Sequence, residues 1–117
     1  MTVEADIYNA LKGLVADRVY PANDVPVGVS RPYVTWQQTG GVAVNFMEAT
    51  TPSIRNARIQ INCWADTRLA VSSISRQVEA AMITALKAHV LGALIAVKEI
   101  DTGLKGTMQD FSIWSEF

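Results

Sequence analysis

ARIQINCWA, the stretch at residues 57–65, carries the strongest secondary-structure signal in the chain. Every second residue of it is apolar or small: Ala57, Ile59, Ile61, Cys63 and Ala65. The residues between them are polar or aromatic. Successive side chains of a strand point to opposite faces. This period of two therefore predicts a strand with one buried face and one polar face that is available for contacts.

The segments on either side predict further strands and two helices. Residues 32–39, 42–46, 90–100 and 107–115 are rich in β-branched or apolar residues and are bounded by glycine, proline or polar turns, which is typical of strands. Apolar residues three or four apart predict one helix from about Thr2 to Leu14 and another from Asp66 or Thr67 to near His89. A loop with three prolines, residues 21–32, follows the first helix.

This order of elements, α-β-β-β-α-β-β, predicts an α+β fold. We expect a mainly antiparallel sheet of about four to five strands with two helices packed on one face. With 117 residues, half of them apolar, the chain can bury one core, and we expect a single domain over residues 1–117.

Charge and hydropathy exclude several classes of function. Ten Lys and Arg residues balance eleven Asp and Glu residues, and no basic run provides the footprint of a nucleic-acid-binding protein. The most apolar stretch, residues 90–97, is far shorter than the roughly 20 residues that cross a bilayer, and the N-terminus lacks the basic start of a secretory signal. The lone Cys63 cannot form an internal disulfide, which suits a reducing compartment.

The residue types that carry most chemistry are sparse. The one histidine, His89, and the one cysteine, Cys63, fall on different predicted elements, so we expect no metal site, no cofactor and no catalytic site. His89 is expected to interact with the last carbonyls of the second helix, and Cys63 to be a small buried hydrophobe. The enzymatic or ligand-binding alternative, a ferredoxin-like α+β domain, would need convergent polar groups between sheet and helices.

Six residues are candidates for a subunit or tail interface: Trp36, Phe46, Met47, Arg55, Arg58 and Trp64. Trp36 and Trp64 share strand faces with polar residues, which indicates positions away from the main core. Two interpretations stay open for them, packing under a loop or helix edge and a subunit contact, where aromatic anchors are enriched. Phe46 and Met47 are costly to leave in water unless something covers them. The two arginines would add polar contacts.

A family resemblance rests on the order and spacing of several segments. They are Ile7–Leu11, Arg18–Pro21, Arg31–Trp36, Arg58–Ala65 and Phe111–Trp114. Read in that order, from Ile7 to Trp114, the chain resembles the small tail-completion proteins of tailed bacteriophages and prophages, a family similar in fold to the lambda-type tail terminator.

The resemblance implies a structural role and no enzymatic activity. It implies a ring of six subunits that caps the tail tube, ends its polymerisation and offers a surface for joining to the head. The implied partners are further copies of the chain, the tail-tube protein and the head-connector protein, in a virion tail assembled in the host cytoplasm. A different virion role, in head completion or as a tail-tube subunit, stays open as an alternative.

Overall fold

A computed structural model describes residues 3–22, 24–42, 55–98 and 103–115 of the chain. Helix α1 spans Val3–Leu11 and runs into a 3-10 turn at Lys12–Leu14; the second helix, α2, spans Arg68–Leu86. The strands are β1 (Val19–Pro21), β2 (Tyr33–Gly40), β3 (Arg55–Ala65), β4 (His89–Val90), β5 (Ile95–Lys98) and β6 (Lys105–Ser115).

All six strands belong to one sheet. Strands β1, β2, β3 and β6 follow one another across it, and both β4 and β5 pair with β6 on its other side. The β1–β2 pair is parallel and every other pair is antiparallel. The predicted α+β class and mainly antiparallel sheet are therefore confirmed. The strand count is six rather than four to five for two reasons. Residues 19–21 form the short strand β1, and the segment predicted as one strand from residue 90 is two short strands separated by residues 91–94.

The alternation that predicted β3 also defines the two faces of the sheet. Ala57, Ile59, Ile61, Cys63 and Ala65 are all buried on what we call the inner face. Buried residues of α1 and α2 join them in one core cluster: Val3, Ile7, Leu11, Val71, Ile74, Val78 and Met82. Their spacing of three or four residues places them on one side of each helix. The opposite side of the sheet, which carries Arg58, Gln60, Asn62 and Trp64, is the outer face.

Helix α2 begins and ends with recognisable caps. The Thr67 hydroxyl accepts a hydrogen bond from the Ala70 amide at 3.2 Å, as expected of an N-cap. At the other end Lys87 adopts a left-handed conformation and the Ala88 amide donates to the Met82 carbonyl. His89 therefore lies in β4, opposite Ser112, and its predicted role at the helix terminus is wrong.

Several predicted features fall wholly or partly outside the described residues. These are the Thr2 cap, most of the strand predicted at 42–46 and most of the turn at 101–103. Val42 is described and is not part of a strand. No described helix has the length and apolar character needed to cross a membrane.

Candidate interaction surface

Trp64 covers one end of the outer face. It lies in a row across four strands, with Tyr33 on one side and then Gly106 and Val97 on the other. The indole packs directly on Gly106, where an added Cβ would be 2.7 Å from ring carbons Cε3 and Cζ3. Its Nε1–H points to the Thr35 hydroxyl at 3.4 Å. Trp64 is thus half-buried and away from the helices, as its alternation with polar residues indicated.

Trp36 has a different environment from Trp64. It pairs with Ile61 and so lies on the inner face, where it is half-buried and packs against the core cluster. The expectation that Trp36 lies away from the main core is wrong. Its polar neighbour Gln38 lies on the same inner face, opposite Ile59, and is exposed.

An ion pair occupies the middle of the outer face. The Arg58 guanidinium donates to Oδ2 of Asp110 from Nε at 3.0 Å and from Nη2 at 2.6 Å. Both side chains keep contact with water, 51% and 22% exposed, so the pair contributes only about 0–1 kcal/mol to stability. Its main consequence is positional, because it holds the long Arg58 side chain down along the sheet.

Two open grooves meet at this ion pair. One has a volume of about 210 Å³ and is lined by Arg58 and Asp110 together with Leu91, Ile95 and Met108. The other, of about 470 Å³, shares Arg58 and Leu91 and extends to Val42, Asn56 and Ser112. The two grooves therefore share Arg58 and Leu91, and both are lined by a mixture of polar, glycine and apolar residues.

Several large apolar side chains in or near these grooves are open to solvent. Val42 is 62% exposed, Leu91 47%, Ile95 55% and Trp114 50%. Trp114 reaches this face because it pairs with Asn56 near the end of β6. A group of exposed apolar side chains on one face is typical of a surface that another protein covers.

The other candidate residues lie near the β2–β3 connection. Arg55 begins β3 and is exposed, which leaves its guanidinium available for polar contacts. Phe46 and Met47 belong to the same connection and lie outside the described residues.

A buried polar cluster between α2 and the sheet was not predicted from the sequence. The Ser75 hydroxyl is hydrogen-bonded to Thr107 and also donates to the Val71 carbonyl at 2.9 Å. Gln109 donates through Nε2 to Glu79 and to the Gly92 carbonyl, both at 3.0 Å. The available signal was Thr107 and Gln109 at core-facing positions of β6. These bonds connect α2, β6 and the 91–94 segment.

Cys63 borders this cluster. Burial raises the pKa of the Cys63 thiol, and hydrogen bonds with Ser75 and Thr107 partly oppose that rise. A buried neutral thiol is a poor nucleophile, so Cys63 acts as a packing residue. Within the described ranges, no three His, Cys, Asp or Glu residues come together closely enough to hold a metal ion.

These features define a class of small α+β protein in which residues of both helices share a core with the inner face of the sheet and the outer face carries exposed apolar side chains. The family model for Tail completion protein gp17 matches residues 6–116, so the chain belongs to that family. It is a structural protein of a phage-type tail. The resemblance to tail-completion proteins is thereby confirmed.

Among solved structures, one similar chain comes from the virion of a native gene transfer agent particle. The two are 19% identical, with a TM-score of 0.64, over 98% of this chain and 95% of the other. At that identity the likeness establishes the fold alone. A comparison with curated protein sequences gave no match.

Proposed function

We propose that this protein closes into a ring of six copies on the end of the tail tube. In that position it ends tail polymerisation and offers the surface to which the head connector joins. The observation that carries the proposal is membership of the tail completion family over nearly the whole chain. The open outer face supports it, because a tail-end protein has to bind other subunits.

The exposed apolar side chains of the outer face are the best candidates for such contacts. Leu91, Ile95 and Trp114 are each about half exposed, and covering them would remove apolar area from water at about 25 cal/mol per Å². Arg58 and Trp64 lie on the same face. We assign all five to contacts with neighbouring subunits or the tube. To the same contacts we assign Arg55 at the start of β3, Phe46 and Met47 of the β2–β3 connection, and the exposed part of Trp36 on the inner face.

A ligand-binding or enzymatic role is less well supported. Such a site needs polar groups that converge on an empty space. In the described groove the two charged groups, Arg58 and Asp110, already satisfy each other. We therefore assign the protein no catalytic step. Assembly in the host cytoplasm, a reducing compartment, suits a chain whose single cysteine is a buried thiol.

Polymerisation of the cognate tail-tube protein tests the proposal. Purified tube protein should form long tubes by itself and shorter tubes, closed at one end by a ring visible in electron micrographs, when this protein is added. Light scattering over a concentration series would give the mass of any ring formed in solution. Tubes of unchanged length with bare ends would contradict the proposed function, and unlimited growth of this protein by itself would indicate a tube subunit.

A further inference from the structure

Strand β5 is an open edge of the sheet. Within the described part of the chain it pairs with β6 on one side and with no strand on the other. Its sequence, Ile-Ala-Val-Lys, has no proline and no acidic residue, and Ile95 and Ala96 are exposed. Proteins usually protect such edges with charges, prolines or bulges, because unpaired N–H and C=O groups invite another strand. In β5 the only charge, Lys98, lies at the end.

The opposite edge of the same sheet is only partly covered. Strand β1 pairs with β2 at Val34, Thr35 and Trp36 and then stops at Pro21. Beyond that point Gln37 and Gln38 pair with β3 on one side and, among the described residues, with no strand on the other. Each end of the sheet therefore presents a short stretch of backbone that no strand covers, and neither stretch carries an acidic side chain. In β5 the Val97 carbonyl accepts a hydrogen bond from Arg68 Nη2 at 3.1 Å, so Ile95 and Ala96 are the residues most open to pairing.

The strand directions are compatible with joining these two edges. Strands β2 and β3, β3 and β6, and β6 and β5 are each antiparallel, so β5 runs antiparallel to β2. Rotation about an axis along the strands preserves these directions. A β5 placed beside β2 of a neighbouring copy would thus form an antiparallel pair, the more stable arrangement per residue.

We propose that β5 of one copy pairs with the Gln37–Gln38 edge of β2 in the next copy, which joins the sheets of successive subunits into a continuous belt. The occupant of each edge is a second copy because the two edges lie at opposite ends of one sheet and match in strand direction. Contacts between two different surfaces are those that close a ring. This inference rests on the proposed ring and specifies how its subunits meet.

Two exposed side chains, Gln38 and Ala96, can be replaced by cysteine to detect the pairing. Gln38 pairs with Ile59, and Ala96 pairs with Thr107, so both side chains point to the inner face, and both are exposed. Within one copy β3 and β6 separate them, a span of about 14 Å for three strand spacings. A disulfide needs Cα atoms within about 7 Å, so it could form only between copies.

Disulfide trapping provides the test, with Gln38→Cys and Ala96→Cys combined in one chain. Lys98→Cys replaces Ala96→Cys in a second variant, which covers the register two residues away on the same face. Mild oxidation, with the protein both free and bound to tail tubes, should give a ladder of linked species that ends at the closed ring. A mixture of the two single-cysteine proteins should stop at linked dimers. Equal dimer formation by either single variant alone would indicate a symmetric contact and overturn the pairing.

A charge placed on the edge gives an independent readout. Ala96→Lys should prevent ring formation, whereas Ala80→Lys, the same change at an exposed position of α2, should leave it intact. Rings that form normally with Ala96→Lys and give no linked ladder in either double variant would refute the pairing and leave the proposed function standing. Tubes that are never capped, even by the unmodified protein, would refute the proposed function itself.

Discussion

On the outer face the Trp64 indole packs directly on Gly106. The position has no room for a methyl group, since a Cβ there would lie 2.7 Å from the indole and 3.0 Å from Val97 Cγ2. We expect Gly106→Ala to displace the indole and reduce the free energy of unfolding by about 1–3 kcal/mol. Chemical denaturation followed by tryptophan fluorescence measures this loss.

The matched control is Gly13→Ala, because a Cβ at Gly13 meets no atom within 4 Å. Adding Trp64→Leu to Gly106→Ala should recover part of the lost stability through coupling between the two positions. Equal effects of the two alanine substitutions would show that the indole does not rest on Gly106.

The Cys63 thiol should make stability depend on pH. Burial raises the pKa of Cys63, so the folded protein holds this proton more tightly than the unfolded chain does. That contribution is fully present below the unfolded thiol's pKa of about 8.5 and is lost as pH rises through the folded value. We expect the free energy of unfolding to fall above about pH 8.5.

A Cys63→Ala variant should lack this part of the alkaline decline while other groups continue to titrate. Denaturation of both proteins at several pH values from 7 to 10 separates the two contributions. Parallel curves for the two proteins would mean that the thiol has the same pKa folded and unfolded.

At the scale of elements, β3 organises the sheet. It pairs with β2 on one side and with β6 along its full length on the other, and its alternation decides which residues face the helices. Ile61 is 2% exposed at the centre of this pattern. Ile61→Asp places an unpaired charge in the core and should cost about 4 kcal/mol or more, enough to unfold many domains of this size.

Gln37→Asp is the control for Ile61→Asp, because Gln37 is exposed on the outer face of β2. Far-ultraviolet circular dichroism and a thermal melt should show a folded control and an unfolded or strongly destabilised Ile61 variant. A stable Ile61→Asp monomer would mean that the face assignment of β3 is reversed.

At the scale of the whole molecule, folding and assembly should be separable. Replacing Phe46 and Met47 together by serine should leave the monomer folded but weaken ring formation or tube capping, because these side chains are assigned to contacts between copies. Light scattering and the tube-length assay measure assembly, and circular dichroism measures folding. Val27→Ser, which alters a fully exposed side chain of another loop, is the control. If the double variant destabilises the monomer while its folded fraction assembles normally, both residues belong to the core.

Local sequence patterns determined much of this architecture. Three features depend only on the period of the backbone and on near neighbours: the alternation of β3, the helical spacing of the α1 and α2 core residues, and the Thr67 cap. They can therefore be predicted from the sequence alone. The order of segments was also sufficient for the family resemblance, and the near balance of charges for excluding a basic nucleic-acid surface.

Only the tertiary structure decided which surfaces lie together. Trp36 and Trp64 both alternate with polar residues, yet one faces the core and the other packs on Gly106, because register across β2, β3 and β6 brings different neighbours to each. The same holds for the buried Ser75–Thr107 bond, for the two short strands β4 and β5 where one strand was predicted at 90–100, and for the open edges at Gln38 and Ala96. Each of them depends on residues far apart in sequence. Pairings between distant residues produce no periodic pattern in the local sequence, so they can be seen only in the assembled sheet.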